Sequence, residues 1–151
     1  MSTHPSKIAL VTGANRGIGF EIARQLAENG VRVLLSGRRR DAAVEAAAKL
    51  RSSGLDVEAV ALDVTKSDSI CAAAAEIAGK YGRLDILVNN AAIRIEEYGK
   101  QPSQQPLQHW RETFDTNLFG VVEVTQAFLP LIRKSAAGRI VNVSSLLASL
   151  G

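Results

Sequence analysis

The stretch Thr12-Gly13-Ala14-Asn15-Arg16-Gly17-Ile18-Gly19 decides the fold. It follows an apolar run, residues 7–12 (Lys-Ile-Ala-Leu-Val-Thr), and opens a helical pattern over residues 18–29. That pattern sets Ile18, Ile22 and Leu26 on one stripe and stops at Gly30. Glycines at 13, 17 and 19 permit positive φ and let a diphosphate approach the backbone. The helix start behind them offers unpaired N–H groups and the positive end of the helix dipole. The spacing is Gly-x-x-x-Gly-x-Gly, not Gly-x-Gly-x-x-Gly, and no Gly-Lys-Ser/Thr follows as in a P-loop. A tight strand-to-helix turn with no ligand is the competing reading.

Outward from this loop the same alternation continues. Residues 31–36, 57–62, 84–89 and 139–144 read as further strands. Their continuous apolar runs suit strands covered on both faces. Between them the spacing predicts helices over 41–51, with Asp41 as N-cap and Gly54 beyond the end, and over 67–80, with Ile70, Ala73, Ala74 and Ile77 on one face. A long helical region covers 107–134; its part 117–132 is apolar nearly all round and is expected to be buried, with Pro130 near its end. Residues 98–106 read as a loop and a candidate mobile segment. Strands separated by helices at this spacing mean right-handed βαβ crossovers. The expected fold is α/β: a Rossmann-type, doubly wound parallel sheet of order 3-2-1-4-5, with a ligand crevice between strands one and four.

Length and composition agree. The 151 residues suit one domain: residues 1–6 as a flexible tail and 7–151 as a dinucleotide-binding domain. Eighteen basic against 15 acidic residues leave +3, too little for a nucleic-acid surface. Cys71 is the single cysteine and reads as a small apolar filler; His4 and His109 stand alone, so no metal site is expected. Trp110 and Phe114, four residues apart, read as core or interface. No apolar run approaches a membrane span of about 20 residues, and the N-terminus has no secretory h-region. The expected location is cytoplasmic, with no membrane and no nucleic-acid partner.

The glycine motif resembles the first fingerprint of the short-chain dehydrogenase/reductase family. Asn89-Asn90-Ala91-Ala92 is similar to the family's Asn-Asn-Ala-Gly, with Ala92 in place of the glycine. Asp63-Val64 resembles its adenine contact, and Asn117 its active-site Asn. Gly138-Arg139-Ile140-Val141-Asn142-Val143-Ser144-Ser145 resembles its fifth strand, ending in the active-site Ser. The resemblance runs from about Lys7 to Ser145. It implies cofactor contacts at Gly13, Asn15, Arg16, Gly17, Ile18 and Gly19 in the loop, and at Asp63, Val64, Asn90 and Ala91 beyond it.

An NAD site puts a carboxylate about 20 residues after the glycines. Here strand two ends Ser36-Gly37-Arg38-Arg39-Arg40, with none before Asp41. Arg38 and Arg16 stand where the family's NADP-binding members carry basic residues. Two guanidiniums suit a 2′-phosphate, so NADP(H) is expected over NAD(H). Arg39 and Arg40 read as a solvated turn.

The resemblance implies hydride transfer between the nicotinamide and a carbonyl or alcohol carbon of a small-molecule substrate. Ser145 is implied to hydrogen-bond the substrate oxygen, and Asn117 to hold the water and lysine of a proton relay. Strand alternation sets Ser144 and Ser145 on opposite faces. The family's Tyr-x-x-x-Lys pair is missing: Tyr81 and Tyr98 have Asp85 and Pro102 four residues on. The chain therefore reads as the cofactor half of such an enzyme, cut before the family's last strands and inactive alone. The alternative is a non-catalytic nucleotide-binding or regulatory module. Strand five is expected to be an open edge, and the helical residues Leu118, Val121, Val122, Phe128 and Leu131 an uncovered apolar patch, together favouring self-association.

Overall fold

The structure, a computed structural model, describes residues 6–145; the rest of the expected tail, with His4, and the residues after Ser145 lie outside the described part. Five strands, β1 (Ile8–Val11), β2 (Arg32–Gly37), β3 (Val57–Ala61), β4 (Ile86–Asn89) and β5 (Arg139–Asn142), form one sheet in the order β3-β2-β1-β4-β5. Every pairing is parallel. This is the expected order. The crossovers are α1 (Gly17–Glu28), α2 (Arg40–Arg51), α3 (Ser67–Tyr81) and the pair α4 (Leu107–Phe114) and α5 (Gly120–Ile132).

Alternate residues of each strand point to opposite faces, and both faces are covered along β1, β2 and β4; β5, expected to be covered like the rest, is exposed at all four residues because no helix among the described residues packs over it. Leu10, Leu34 and Leu87 pack with Ile70, Ile77, Val124 and Phe128 of α3 and α5. Val11, Val33, Leu35 and Val88 pack with Ala23, Ala27, Ala43, Ala47 and Leu50 of α1 and α2. The alanine-rich α2, and Ala23 with Ala27 on the inner face of α1, let helix and sheet approach closely; full burial of a side chain such as Phe128 contributes about 1.5–3 kcal/mol.

The long helical region is not one uniform helix. A π-turn at Asp115–Phe119 separates α4 from α5. Only one face of α5 is buried: Phe128 and Leu131 belong to the core, so they leave the expected uncovered patch, while Leu118 and Val122 stay exposed. Trp110 and Phe114 stack with ring centroids 6.4 Å apart, but on the surface, because α4 contributes no residue to the core. Cys71 is exposed rather than filling a gap, because the inward face of α3 belongs to Ile70, Ala73 and Ile77. Asp41 is no N-cap: α2 begins one residue earlier, and the carboxylate turns back onto Arg39 at 2.6 Å.

β5 lies at the edge of the sheet, with Ile140 and Val141 exposed. It stops at Asn142, short of Ser144, so strand alternation cannot assign Ser144 and Ser145 to opposite faces. At the other end of the sheet the nearly buried Asp85 joins three segments. Its carboxylate accepts from the Ile8 N–H (2.8 Å), the Ser135 hydroxyl (2.6 Å) and Arg83 Nε (3.2 Å). Among the described residues no helix is long and apolar enough to cross a membrane.

Candidate functional site

The carboxyl ends of β1, β2, β3 and β4 open into a groove of about 470 Å³. The loop of Gly13, Asn15, Arg16, Gly17, Ile18 and Gly19 forms one wall. Arg38, Asp63 and Val64 lie in another, and Asn90 with Ala91 in a third. The structure thus brings every expected cofactor residue to one place. Arg39, Ala42, Leu62, Thr65, Ala92, Ile93 and Thr116 line the groove too; sequence reading missed them because they follow from how loops fold over one another.

The loop is shaped by two left-handed glycines, Gly13 and Gly17, both at φ 60°. A Cβ at Gly13 would meet Ala91 Cα at 2.8 Å, whereas one at Gly17 would meet nothing within 4 Å. The first glycine therefore serves close packing and the second leaves open backbone. Gly19 is walled in as well, since a Cβ there would lie 2.3 Å from Asn90 Nδ2 and 2.6 Å from the Gly13 oxygen.

Thr12 and Asn90 stitch the loop to β4. The Thr12 hydroxyl oxygen accepts from the Asn90 and Ala91 N–H groups, each at 3.0 Å. Asn90 Nδ2 donates to the carbonyls of Thr12 and Gly13, each at 3.1 Å. Sequence reading gave Thr12 no role in shaping the groove; a hydroxyl at the end of an apolar strand, just before the glycines, was the available signal. On the other side the Ala14 N–H donates to the Ser36 carbonyl at 2.7 Å, tying the loop to β2.

No side chain caps α1, no carboxylate lies in its first turn, and its first residues, Gly17, Ile18 and Gly19, line the groove. Arg39 is held by Asp41, but Arg16 and Arg38 form no ion pair among the described residues. Across from Arg38 sits Asp63. Burial alone would raise its pKa, but Oδ1 accepts from the Thr65 hydroxyl (2.7 Å) and N–H (3.0 Å), and the net effect holds it below the usual carboxylate value. Ile18 is 67 % exposed at the groove, an apolar surface that a bound ring would cover. Open backbone, an uncapped helix start and two cations without an ion pair among the described residues together fit a phosphorylated dinucleotide.

Asn117 does not line the groove. Its amide clamps Ile93, which does: Oδ1 accepts from the Ile93 N–H and Nδ2 donates to its carbonyl, both at 2.9 Å. The side chain is thereby committed to positioning the backbone after β4. Ser145 follows β5, which the Val143 N–H donating to the Asn89 carbonyl (3.0 Å) holds beside the Asn89–Ala92 segment. Asn89 Nδ2 reinforces that register by donating to Asn142 Oδ1 at 2.9 Å and Thr125 Oγ1 at 3.1 Å.

The family model described as short chain dehydrogenase matches residues 7–151. The chain belongs to this family. Among curated members it is 38 % identical over 155 residues to the short-chain dehydrogenase anuI of Penicillium roqueforti, matching 100 % of this chain and 60 % of that protein. It is 37 % identical over 150 residues to 3-oxoacyl-acyl-carrier-protein reductase FabG of Staphylococcus aureus, matching 97 % of this chain and 58 % of that protein. The chain thus spans little more than half the length of these family members. Among solved structures it superposes on a variant of the actinorhodin polyketide ketoreductase with NADPH (TM-score 0.86, 35 % identity, 96 % of this chain and 55 % of that one). It also superposes on a metagenomic short-chain oxidoreductase in complex with NADP (TM-score 0.82, 34 % identity, 93 % of this chain and 62 % of that one).

Proposed function

We propose that the chain is the cofactor-binding portion of an NADP(H)-dependent oxidoreductase acting on a carbonyl or alcohol substrate. The observation that carries this is the pair Arg16 and Arg38, both in the groove wall and both without an ion pair among the described residues. No carboxylate ends β2 to receive a ribose 2′-hydroxyl, since Ser36 and Gly37 lead straight into Arg38. The solved relatives with NADPH and NADP support the same choice.

A bound nicotinamide cofactor supplies or accepts the hydride. The chain's own residues bind and orient. Gly17 and the leading N–H groups of α1 receive the diphosphate. Arg16 and Arg38 grip the 2′-phosphate, each charged hydrogen bond contributing about 1.5–3 kcal/mol. Asp63 keeps one carboxylate oxygen for the adenine, because Thr65 occupies the other. Ser145 hydrogen-bonds the substrate oxygen and stabilises its developing charge. Asn117, with its side chain spent on Ile93, serves the site by holding the backbone after β4 in place. Small molecules are the substrates, and copies of the chain associate through the open β5 edge and the exposed stripe of Leu118 and Val122.

Calorimetry tests the cofactor assignment. NADPH is expected to bind more tightly than NADH, and Arg38→Ala to remove most of the difference, tenfold or more for about one charged bond. Equal affinities in the unmutated chain refute it.

A further inference from the structure

Gly120 opens α5 with ordinary helical angles, φ −59° and ψ −41°, so its backbone does not call for glycine. Glycine is also a poor helix former, since it surrenders the most backbone freedom on folding. Space explains its presence. A Cβ here would lie 2.9 Å from the Val64 carbonyl oxygen, 3.0 Å from Val64 Cγ2 and 3.2 Å from the Asp115 carbonyl oxygen. The Asp115 oxygen accepts Gly120's own N–H within the π-turn, so the obstacle from another segment is Val64, whose carbonyl is main chain and cannot rotate aside as a side chain can.

The two segments that meet at this point both serve the groove. Val64 lies in its wall between Asp63 and Thr65. Asp115 begins the π-turn that carries Thr116, another wall residue, and Asn117, the clamp on Ile93. We propose that Gly120 is a positioning residue: its bare Cα lets the start of α5 seat directly on the Val64 carbonyl, which fixes the spacing between the Asp63–Thr65 wall and the Ile93 wall. A side chain at 120 forces one wall outward or drags the Asn117 turn off Ile93. The ligand arm of the test rests on the cofactor reading above; the ligand-free arm does not.

The first measurement is amide hydrogen exchange by NMR on the full ligand-free chain. In Gly120→Ala the Ile93 amide, the donor to Asn117 Oδ1, is expected to exchange at least tenfold faster. The amides of Leu10 and Leu34 at the sheet centre are expected to stay within twofold of the unmutated chain. A merely structural role would move all of these amides together or none. The second measurement is calorimetry with 2′,5′-ADP, expected to bind at least tenfold more weakly to Gly120→Ala. Absence of 2′,5′-ADP binding to the unmutated chain defeats the cofactor reading and leaves exchange to decide the role of Gly120. Where Gly120→Ala does not fold, Val64→Ala takes its place: it loosens the same contact from the opposite side, and faster exchange is again expected at Ile93, across the joint. Unchanged Ile93 exchange, exchange that rises equally at Leu10 and Leu34, or equal 2′,5′-ADP binding by Gly120→Ala and the unmutated chain overturns the proposal.

Discussion

Replacing Asp85 is expected to damage the fold more than replacing any surface ion pair, and the geometry sets the size of the loss. Its carboxylate receives the Ile8 N–H at 2.8 Å and the Ser135 hydroxyl at 2.6 Å, with Arg83 beside both oxygens. Each charge-assisted bond contributes about 1.5–3 kcal/mol, and a buried N–H left without a partner adds its own penalty. Asp85→Ala is therefore expected to cost about 3–5 kcal/mol, a large part of a domain's usual stability of about 5–15 kcal/mol. Asp85→Asn is expected to cost less, about 2 kcal/mol: its carbonyl still accepts from Ile8 and its amide donates to a turned Ser135 hydroxyl, so the charge and one of the two Arg83 contacts are lost. The pH dependence has a definite sign. Burial pushes the Asp85 pKa up, but the bonds from Ser135 and Ile8 and the charge of Arg83 prevail and hold it below the usual value. A lowered folded-state pKa gives stability that is fully present above the unfolded pKa and is lost as pH falls through the folded one. The gap between the unmutated chain and Asp85→Asn should thus be constant near neutrality and shrink in the acid range below about pH 4. Urea titrations followed by circular dichroism at a series of pH values measure it. A loss under about 1 kcal/mol for Asp85→Ala, or a gap that widens on acidification, refutes the reasoning.

Thr12→Val keeps the shape of a buried side chain but strips the acceptor from the Asn90 and Ala91 N–H groups, and should cost about 2–4 kcal/mol; Thr12→Ser should recover most of it, and equal stability of the two variants in urea would count against the stitch. The isolated chain, lacking a Tyr-x-x-x-Lys pair in its sequence, should show no carbonyl reduction, because loss of a general acid alone costs about 10²–10⁴-fold; steady NADPH consumption at an ordinary enzyme rate by the mass-verified chain would reverse that. Light scattering should give an apparent mass that climbs with concentration, and Val141→Lys on the exposed edge strand should lower it; a mass constant at every concentration speaks against association through this edge.

Most of the sheet was legible because its strands announce themselves twice, by β-branched apolar runs and by the glycines and helical stripes between them. Order and direction then followed from the crossover rule. The groove was legible where one local motif supplies its chemistry, as the glycine loop and Arg38 do. What escaped reading depends on the angle between distant elements. The π-turn at Asp115–Phe119 has one mark in residues 107–134, Gly120 just past it, and a lone glycine in a helical pattern does not by itself signal a break. The exposure of Trp110 and Phe114 is a further case: their spacing shows that they touch each other, not which way α4 faces. Asp41 misled because a carboxylate near a helix start serves the dipole as well from the second position as from the cap.

The stitch between Thr12 and Asn90 also bears on when the binding loop can open. Ligand loops are usually drawn from the least protected part of a molecule, where a local fluctuation frees them at little cost. Here the loop is tethered to a segment nearly eighty residues away in sequence and buttressed from β2 through Ala14 and Ser36. Freeing it means breaking the bonds of both Thr12 and Asn90 at once, where β1 and β4 end. The amides of Asn90 and Ala91 should accordingly be better protected from exchange than those of an untethered surface loop, so that the groove keeps its shape between ligands.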